Sequence, residues 1–173
     1  KVKTHFIKGA KGYFSTAVTN DDYYLMYGAK REKIHRYPFT SLFERDVFRE
    51  VAEASQKQAL RQKLGIEEKH MVVSVGRFSY LNGYGKGYDA LIRAAQQLSE
   101  DIGWYIVGGA PTEEFANIVE DTGLKNIHFV DFMDKESLKE YYRAADIFAL
   151  MTVGDVWGLV INESMACGLS VIT

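Results

Sequence analysis

The sequence contains a single cysteine, Cys167, so no disulfide can close within the chain, and this usage fits a reducing compartment. Long apolar runs are also missing. The longest, Ile147–Met151 among them, are strand-sized and far too short to span a bilayer. The segment Lys1–Lys11 is basic but lacks the apolar stretch of a secretory signal, so the cytoplasm is the expected address. No excess of one charge sign exists: 21 Lys and Arg stand against 23 Asp and Glu, a formal net charge of −2. That balance offers no electrostatic footprint for nucleic acid or an acidic membrane surface. His5, His35, His70 and His128 are scattered without zinc-site spacing, and there is no internal repeat or low-complexity tract.

What the chain does have is apolar content in a regular order. With 47% hydrophobic and 25% charged residues over 173 positions, it can bury a sizeable core, as one domain or one domain plus a piece of another. After about residue 70, strand-like and helix-like segments alternate. Met71–Val75, Trp104–Val107, Ile127–Val130 and Ile147–Met151 read as strands, and Ser170–Thr173 begins a fifth. Between them, Tyr88, Leu91, Ile92, Ala95 and Leu98 form a helical stripe, and Leu138, Tyr141, Tyr142 and Ala145 form another. Thr112 and Asp134 are placed as N-caps, with Glu113 and Glu114 favourable in a first turn. Val160–Cys167 reads as a small-residue helix closed by Gly168. This alternation predicts an α/β fold with a doubly wound parallel sheet, whose ligands bind at the carboxyl ends of the strands.

The first 40 residues read differently. Tyr13–Val18 and Ile34–Phe39 are expected as strands, and Asp21–Tyr27 as a short helix ended by Gly28. Ser41 and Glu44 have capping-box spacing, and a long polar helix through Leu64 is expected to follow. Tyr23, Tyr24 and Tyr27 follow helical spacing and are expected to pack against neighbours. His128 is expected to be a packed or edge histidine, and Cys167 a core residue with no base to activate it. A chain that stops on an incipient buried strand also predicts a fragment.

The segment with most chemical content is Gly154-Asp155-Val156-Trp157-Gly158-Leu159-Val160-Ile161-Asn162-Glu163-Ser164-Met165-Ala166-Cys167-Gly168. Asp155 falls in the loop after a strand, and Glu163 eight residues later falls early in the next helix, so two carboxylates straddle a helix N-terminus. The exposed amides and dipole of such a terminus favour phosphate oxygens. Glu163 could accept two hydrogen bonds from a vicinal diol, while Asp155 could reach another hydroxylated group. A second feature is Val75-Gly76-Arg77 directly after the first strand, followed by Lys86-Gly87. Arg can fork onto two oxygens and Lys supplies a mobile point charge. Competing phosphate motifs fit poorly. Gly83–Gly87 lacks the Ser or Thr required after a P-loop Lys, and no Gly-x-Gly-x-x-Gly turn follows the first strand.

These residues carry a resemblance. The segment from Asp155 to Gly168 resembles the acidic-x7-Glu motif of family 4 retaining glycosyltransferases, matching at Gly158, Leu159, Glu163, Met165, Ala166 and Gly168. Asp155 replaces the usual first Glu and Trp157 the usual Phe, and the loop Phe78–Gly85 is longer than is common. The resemblance implies the GT-B architecture of two Rossmann-like domains. Residues 1–40 would end the first domain and form the linker, and residues 41–173 would form most of the nucleotide-sugar donor domain. It implies that Arg77 and Lys86 hold the donor diphosphate. Gly76, Trp157, Gly158, Leu159 and Val160 would line the donor site, with the Gly158–Val160 backbone on phosphate, Glu163 on the ribose diol and Asp155 on the donor sugar. Gly108, with Gly109, and Phe132 would contact the nucleobase. No metal or other cofactor is implied, because two cations and a helix dipole can neutralise the diphosphate.

The implied activity is retaining transfer of a hexose-type sugar in surface polysaccharide or glycoconjugate synthesis. The acceptor, a sugar or lipid-linked sugar, would be held by a domain outside this fragment. Peripheral membrane association would belong to the full-length protein, and the fragment alone would be inactive. Two alternatives stay open: a nucleotide-binding module without catalysis, and a nucleotide-sugar epimerase of the same architecture.

Overall fold

The computed structural model describes residues 1–37, 39, 40, 42–47, 52–79, 81–155 and 157–173. The chain divides into two compact units, Lys1–Ser41 and Leu42–Thr173.

The first unit runs α1 (Val2–Gly9), β1 (Tyr13–Ser15), α2 (Val18–Met26), a 3-10 turn (Arg31–Lys33) and β2 (Ile34–Arg36). The two strands pair in parallel, with Tyr13 opposite Ile34. Its electrostatic centre is Asp21, 6% exposed, which accepts hydrogen bonds from the Ser15 hydroxyl and from Arg36 at 2.9 Å. These bonds hold the Asp21 carboxyl below its ordinary pKa, the Ser15 bond contributing most and the Arg36 bond next. The tyrosines of α2 pack as expected, with ring centroids 5.1 Å apart for Tyr13 and Tyr24 and 4.9 Å for Tyr23 and Tyr27. Both strands are shorter than expected, and α2 begins three residues earlier than Asp21. The polar Ser15-Thr16 pair turns the chain, its Ser15 hydroxyl bonding the Ala17 carbonyl and its Thr16 hydroxyl accepting from Asn20. The helix α1 occupies a segment for which no element was expected.

The second unit runs α3 (Ala54–Leu64), β3 (His70–Val75), α4 (Tyr88–Ala95), β4 (Ile102–Val107), α5 (Glu113–Thr122), β5 (Ile127–Val130), α6 (Lys135–Ala144), β6 (Ile147–Ala149), α7 (Leu159–Ala166) and β7 (Ser170–Ile172). The strands form one parallel sheet in the order β5-β4-β3-β6-β7. Period-two alternation sends side chains to opposite faces. Met71, Val73, Tyr105, Val107 and Phe148 pack with α3, α6 and α7 residues such as Leu64, Tyr142 and Val160. Val72, Trp104, Ile106 and Ala149 pack with Tyr88, Leu91 and Ile92 of α4 and Phe115 of α5. The sheet is thus covered on both faces, the doubly wound arrangement that the alternation predicted. No helix among the described residues is long and apolar enough to cross a membrane.

Thr112 and Asp134 cap α5 and α6 as expected, accepting from the amides of Phe115 at 3.4 Å and Ser137 at 2.8 Å. Gly168 follows α7 with φ +83°. Two expectations need correction. Among the described residues, the long polar helix expected through Leu64 is helical over Ala54–Leu64. Glu53 is extended, and the Gln56 side chain accepts its amide at 3.3 Å, which starts the helix there. Upstream, Glu44–Asp46 forms a 3-10 turn, and the expected Ser41 cap lies outside the described residues. Leu98 does not extend the α4 stripe and is 52% exposed. After Ala95 the chain tightens into i→i−3 bonds, Gln97 to Ala94 and Leu98 to Ala95, which rotate Leu98 off the 3.6-residue period.

Candidate functional site

In the strand order β5-β4-β3-β6-β7 the direction of winding reverses between β3 and β6. Connections leaving the two strands go to opposite faces, so a crevice opens at their carboxyl ends. The loop after β3 holds Gly76 and Arg77, and the loop after β6 leads through Asp155 into α7. Close backbone approach shapes this end of the sheet. A Cβ on Gly108 (φ +155°) would stand 2.0 Å from the Gly76 carbonyl oxygen, so only glycine lets the β4 end press against the β3 end. Gly87 (φ +70°) is the same case, since its Cβ would lie 2.1 Å from the Met151 carbonyl oxygen. The end of the loop after β3, Gly85–Gly87, is accordingly seated on the β6 end. The Thr152 hydroxyl donates to the Gly85 carbonyl at 2.8 Å, and the Val153 amide to the same oxygen at 3.2 Å.

A cleft of about 310 Å³ lies at the carboxyl ends of the strands. Its walls bring together six of the expected site residues: Gly76, Arg77, Gly108, Phe132, Val160 and Glu163. Arg77 is exposed, with no hydrogen-bond or ion-pair partner for its guanidinium among the described residues. Glu163, on the second turn of α7, accepts a long bond of 3.5 Å from the Tyr142 hydroxyl. Burial raises the Tyr142 hydroxyl pKa well above the usual tyrosine value, with the nearby Glu163 charge adding to it. Phe132 is 71% exposed.

Lys86 and Asp155 form a pair of their own, Nζ to Oδ2 at 2.6 Å, with side chains 15% and 29% exposed. The Lys86 stem runs beside Gly76, where a Cβ would meet its Cδ at 3.2 Å, so the longer loop still delivers the ammonium next to the β3 end. The other oxygen of Asp155 accepts the amides of Trp157 at 3.3 Å and Gly158 at 3.2 Å, which fixes the entry to α7. The Lys86 hydrogen bond is the main cause holding the Asp155 carboxyl below its ordinary pKa. Trp157, Gly158 and Leu159 lie on this entry segment and, like Lys86 and Asp155 themselves, do not line the cleft; neither does Gly109, which bonds the Val130 carbonyl at 3.2 Å. Val156 lies outside the described residues.

The cleft is also lined by five residues not expected as site residues, the strand residues Val75 and Val107 with Met133, Lys135 and Leu138, and a further group lies behind them. Asp46, only 2% exposed, accepts from Lys135 Nζ at 2.6 Å, Lys139 Nζ at 2.6 Å and the Phe43 amide at 2.9 Å. Those bonds, Lys135 first and Lys139 next, push its carboxyl pKa far below the usual carboxylate range. Position alone could have flagged Lys135, since it directly follows the third strand-end loop. Nothing in the local sequence marks Asp46. His128 pairs with Glu68 and stacks on Tyr105 with centroids 4.5 Å apart, and Cys167 is buried with its thiol pKa pushed up to about 11 by that burial.

A sheet wound in both directions, with a cleft at the switch point bordered by a cation and a helix N-terminus, defines the doubly wound α/β class that binds ligands at strand carboxyl ends. The comparisons narrow this. The family Glycosyl transferases group 1 matches residues 56–173, and the chain belongs to that family. D-inositol 3-phosphate glycosyltransferase of Xylanimonas cellulosilytica is 30% identical over 167 residues, covering 91% of this chain and 39% of that protein. Mannosylfructose-phosphate synthase of Agrobacterium fabrum is 30% identical over 151 residues, covering 82% of this chain and 32% of that protein. Among solved structures, Anabaena HepE in complex with UDP and glucose superposes with a TM-score of 0.73 at 22% identity, over 94% of this chain and 44% of that one. The chain therefore spans less than half the length of each of these relatives.

Proposed function

We propose that this chain is the donor-binding part of a glycosyltransferase of the retaining family 4 kind. Residues 1–40 would end an acceptor-side domain with its linker, and residues 41–173 would bind the nucleotide sugar. In the reaction, the bond from the anomeric carbon to the β-phosphate oxygen breaks, and its electron pair stays on the departing diphosphate. The acceptor oxygen bonds that carbon from the same face and loses its proton. Arg77 and Lys86 offset the charge that grows on the diphosphate, and the Gly158–Val160 backbone contributes amides at the positive end of α7. Glu163 takes the ribose diol and Asp155 the donor sugar. Gly76, Trp157 and Leu159 border the donor, while Gly108 and Phe132 border its base. The acceptor would be a sugar or lipid-linked sugar in surface polysaccharide or glycoconjugate synthesis, with the whole protein in the cytoplasm or at its membrane face.

The observation that carries this reading is the cleft itself, which collects Arg77 and Glu163, 86 positions apart in sequence, at the switch point. The UDP and glucose in the Anabaena HepE complex support a nucleoside diphosphate sugar as donor. Calorimetric titration of the chain with UDP and GDP tests it. One nucleotide should bind, and Arg77→Ala and Glu163→Ala should each weaken it by about tenfold or more, as expected for a lost charge-assisted contact. Absence of binding to either nucleotide by folded protein would sink the proposal.

A further inference from the structure

We propose that Lys135 is a further donor-binding residue, contacting an oxygen acceptor of the donor's nucleoside half, and that buried Asp46 positions it. This rests on the reading of the cleft given above. The cleft has two ends, set by strand order. Arg77 follows β3 at the switch point, whereas Phe132, Met133 and Lys135 follow β5, two strands away and so roughly 10 Å along the sheet edge. A diphosphate engaged by Arg77 and the start of α7 therefore directs its nucleoside toward the β5 end. There Phe132, Met133 and Leu138 offer an apolar surface for a base, and Lys135 is the cation beside it.

The support behind Lys135 is a buried carboxylate, in a cluster where Lys139 also pairs with Glu136 at 2.9 Å. Asp46 is 2% exposed and already meets Lys139 at 2.6 Å and the Phe43 amide at 2.9 Å. Lys139, 11% exposed, is the interior partner; Lys135, 35% exposed, carries a second positive charge to the cleft wall, 2.6 Å from the same carboxylate. A lysine side chain is rich in rotamers, and a ligand contact normally forfeits that freedom. Anchoring on a buried carboxylate removes that loss before the donor arrives, which is preorganisation of the ammonium. An ammonium has donors and no acceptor, so its partner on the nucleoside is a ribose hydroxyl or a base carbonyl oxygen.

The test is titration of the full chain with UDP, with inorganic pyrophosphate as competitor, for the wild type, Lys135→Ala, Asp46→Asn and the double variant. Lys135→Ala should weaken UDP about tenfold, the size of one charge-assisted hydrogen bond, and leave pyrophosphate within twofold. Lys135→Met keeps the aliphatic stem and replaces the alanine variant should that fail to fold. Asp46→Asn should weaken UDP about threefold alone and add nothing in the Lys135→Ala background, because its effect runs through Lys135. UDP weakened by Arg77→Ala but untouched by Lys135→Ala would overturn this inference and leave the donor-site reading standing. Equal losses for UDP and pyrophosphate would move Lys135 to the phosphates and overturn the nucleoside assignment. A folded wild type that binds no nucleotide would overturn both.

Discussion

Both ends of the five-stranded sheet hold clusters of paired charges, and they are built differently. At the amino-terminal end, Asp146 takes Lys57 at 3.1 Å, Arg61 at 2.7 Å and the Met71 amide at 2.9 Å. The same cations also bond backbone: Arg61 reaches the Ala144 carbonyl at 2.9 Å and the Lys69 carbonyl at 2.8 Å, and Lys57 the Ala145 carbonyl at 2.9 Å. These bonds close the last carbonyls of α6 and tie α3 to two strand starts. At the carboxyl end, Lys86 pairs with Asp155 and Lys135 with Asp46 side chain to side chain, and of these four Lys135 lines the cleft. Charges that satisfy the backbone hold the fold together. A pair that borders solvent, as Lys86 and Asp155 do, can exchange partners with a ligand at little cost to stability.

That difference is open to direct attack. The largest effect should come from Asp146→Ala, which strands two cations and a buried amide. It should cost roughly 1–3 kcal/mol in urea or thermal unfolding while leaving UDP affinity of the folded protein within twofold. Equal damage to affinity and stability would erase the distinction between the two ends.

A smaller, pH-dependent effect is expected at Asp46, the one carboxyl-end anchor that is buried. Its folded pKa is depressed by Lys135 first and then Lys139, so its stabilisation is fully present above the unfolded value and fades as pH falls. Urea midpoints of wild type and Asp46→Asn should therefore differ most above about pH 4 and converge in stronger acid. A gap that widens on acidification would show the anchor to be misread.

The smallest change in stability should follow Lys86→Met. The pair with Asp155 borders solvent, so unfolding should shift by less than about 1 kcal/mol. UDP affinity should nevertheless drop several-fold, more at low than at high ionic strength. Unchanged affinity at every salt concentration would remove Lys86 from the donor site.

The sharpest readings from sequence were local. Val75-Gly76-Arg77 and the segment from Asp155 to Gly168 could be placed at strand ends because strand, turn and cap signals lie within a few residues of each other. The same locality explains the errors. Leu98 fits the helical period by count, but the turn that feeds β4 tightens the helix before reaching it. No proline or glycine interrupts the polar run through Leu64, so nothing local marks the extended Glu53 as the cap of the helix Ala54–Leu64.

What the sequence by itself determined was the alternation of strands and helices, hence a sheet covered on both faces, and the residue types waiting at its carboxyl end. Only the tertiary structure decided which charges meet. Asp46 and Lys135 lie 89 positions apart, and Lys86 and Asp155 lie 69 apart. Separations of that size carry no periodic signal. Pairing across them is set by strand order, by where each loop emerges from the sheet, and by glycines that let backbones touch at Gly76 and Gly108. Burial then fixes the roles, because a carboxylate shut away from water must keep its cations, and Asp46 keeps one of them at the wall of the cleft.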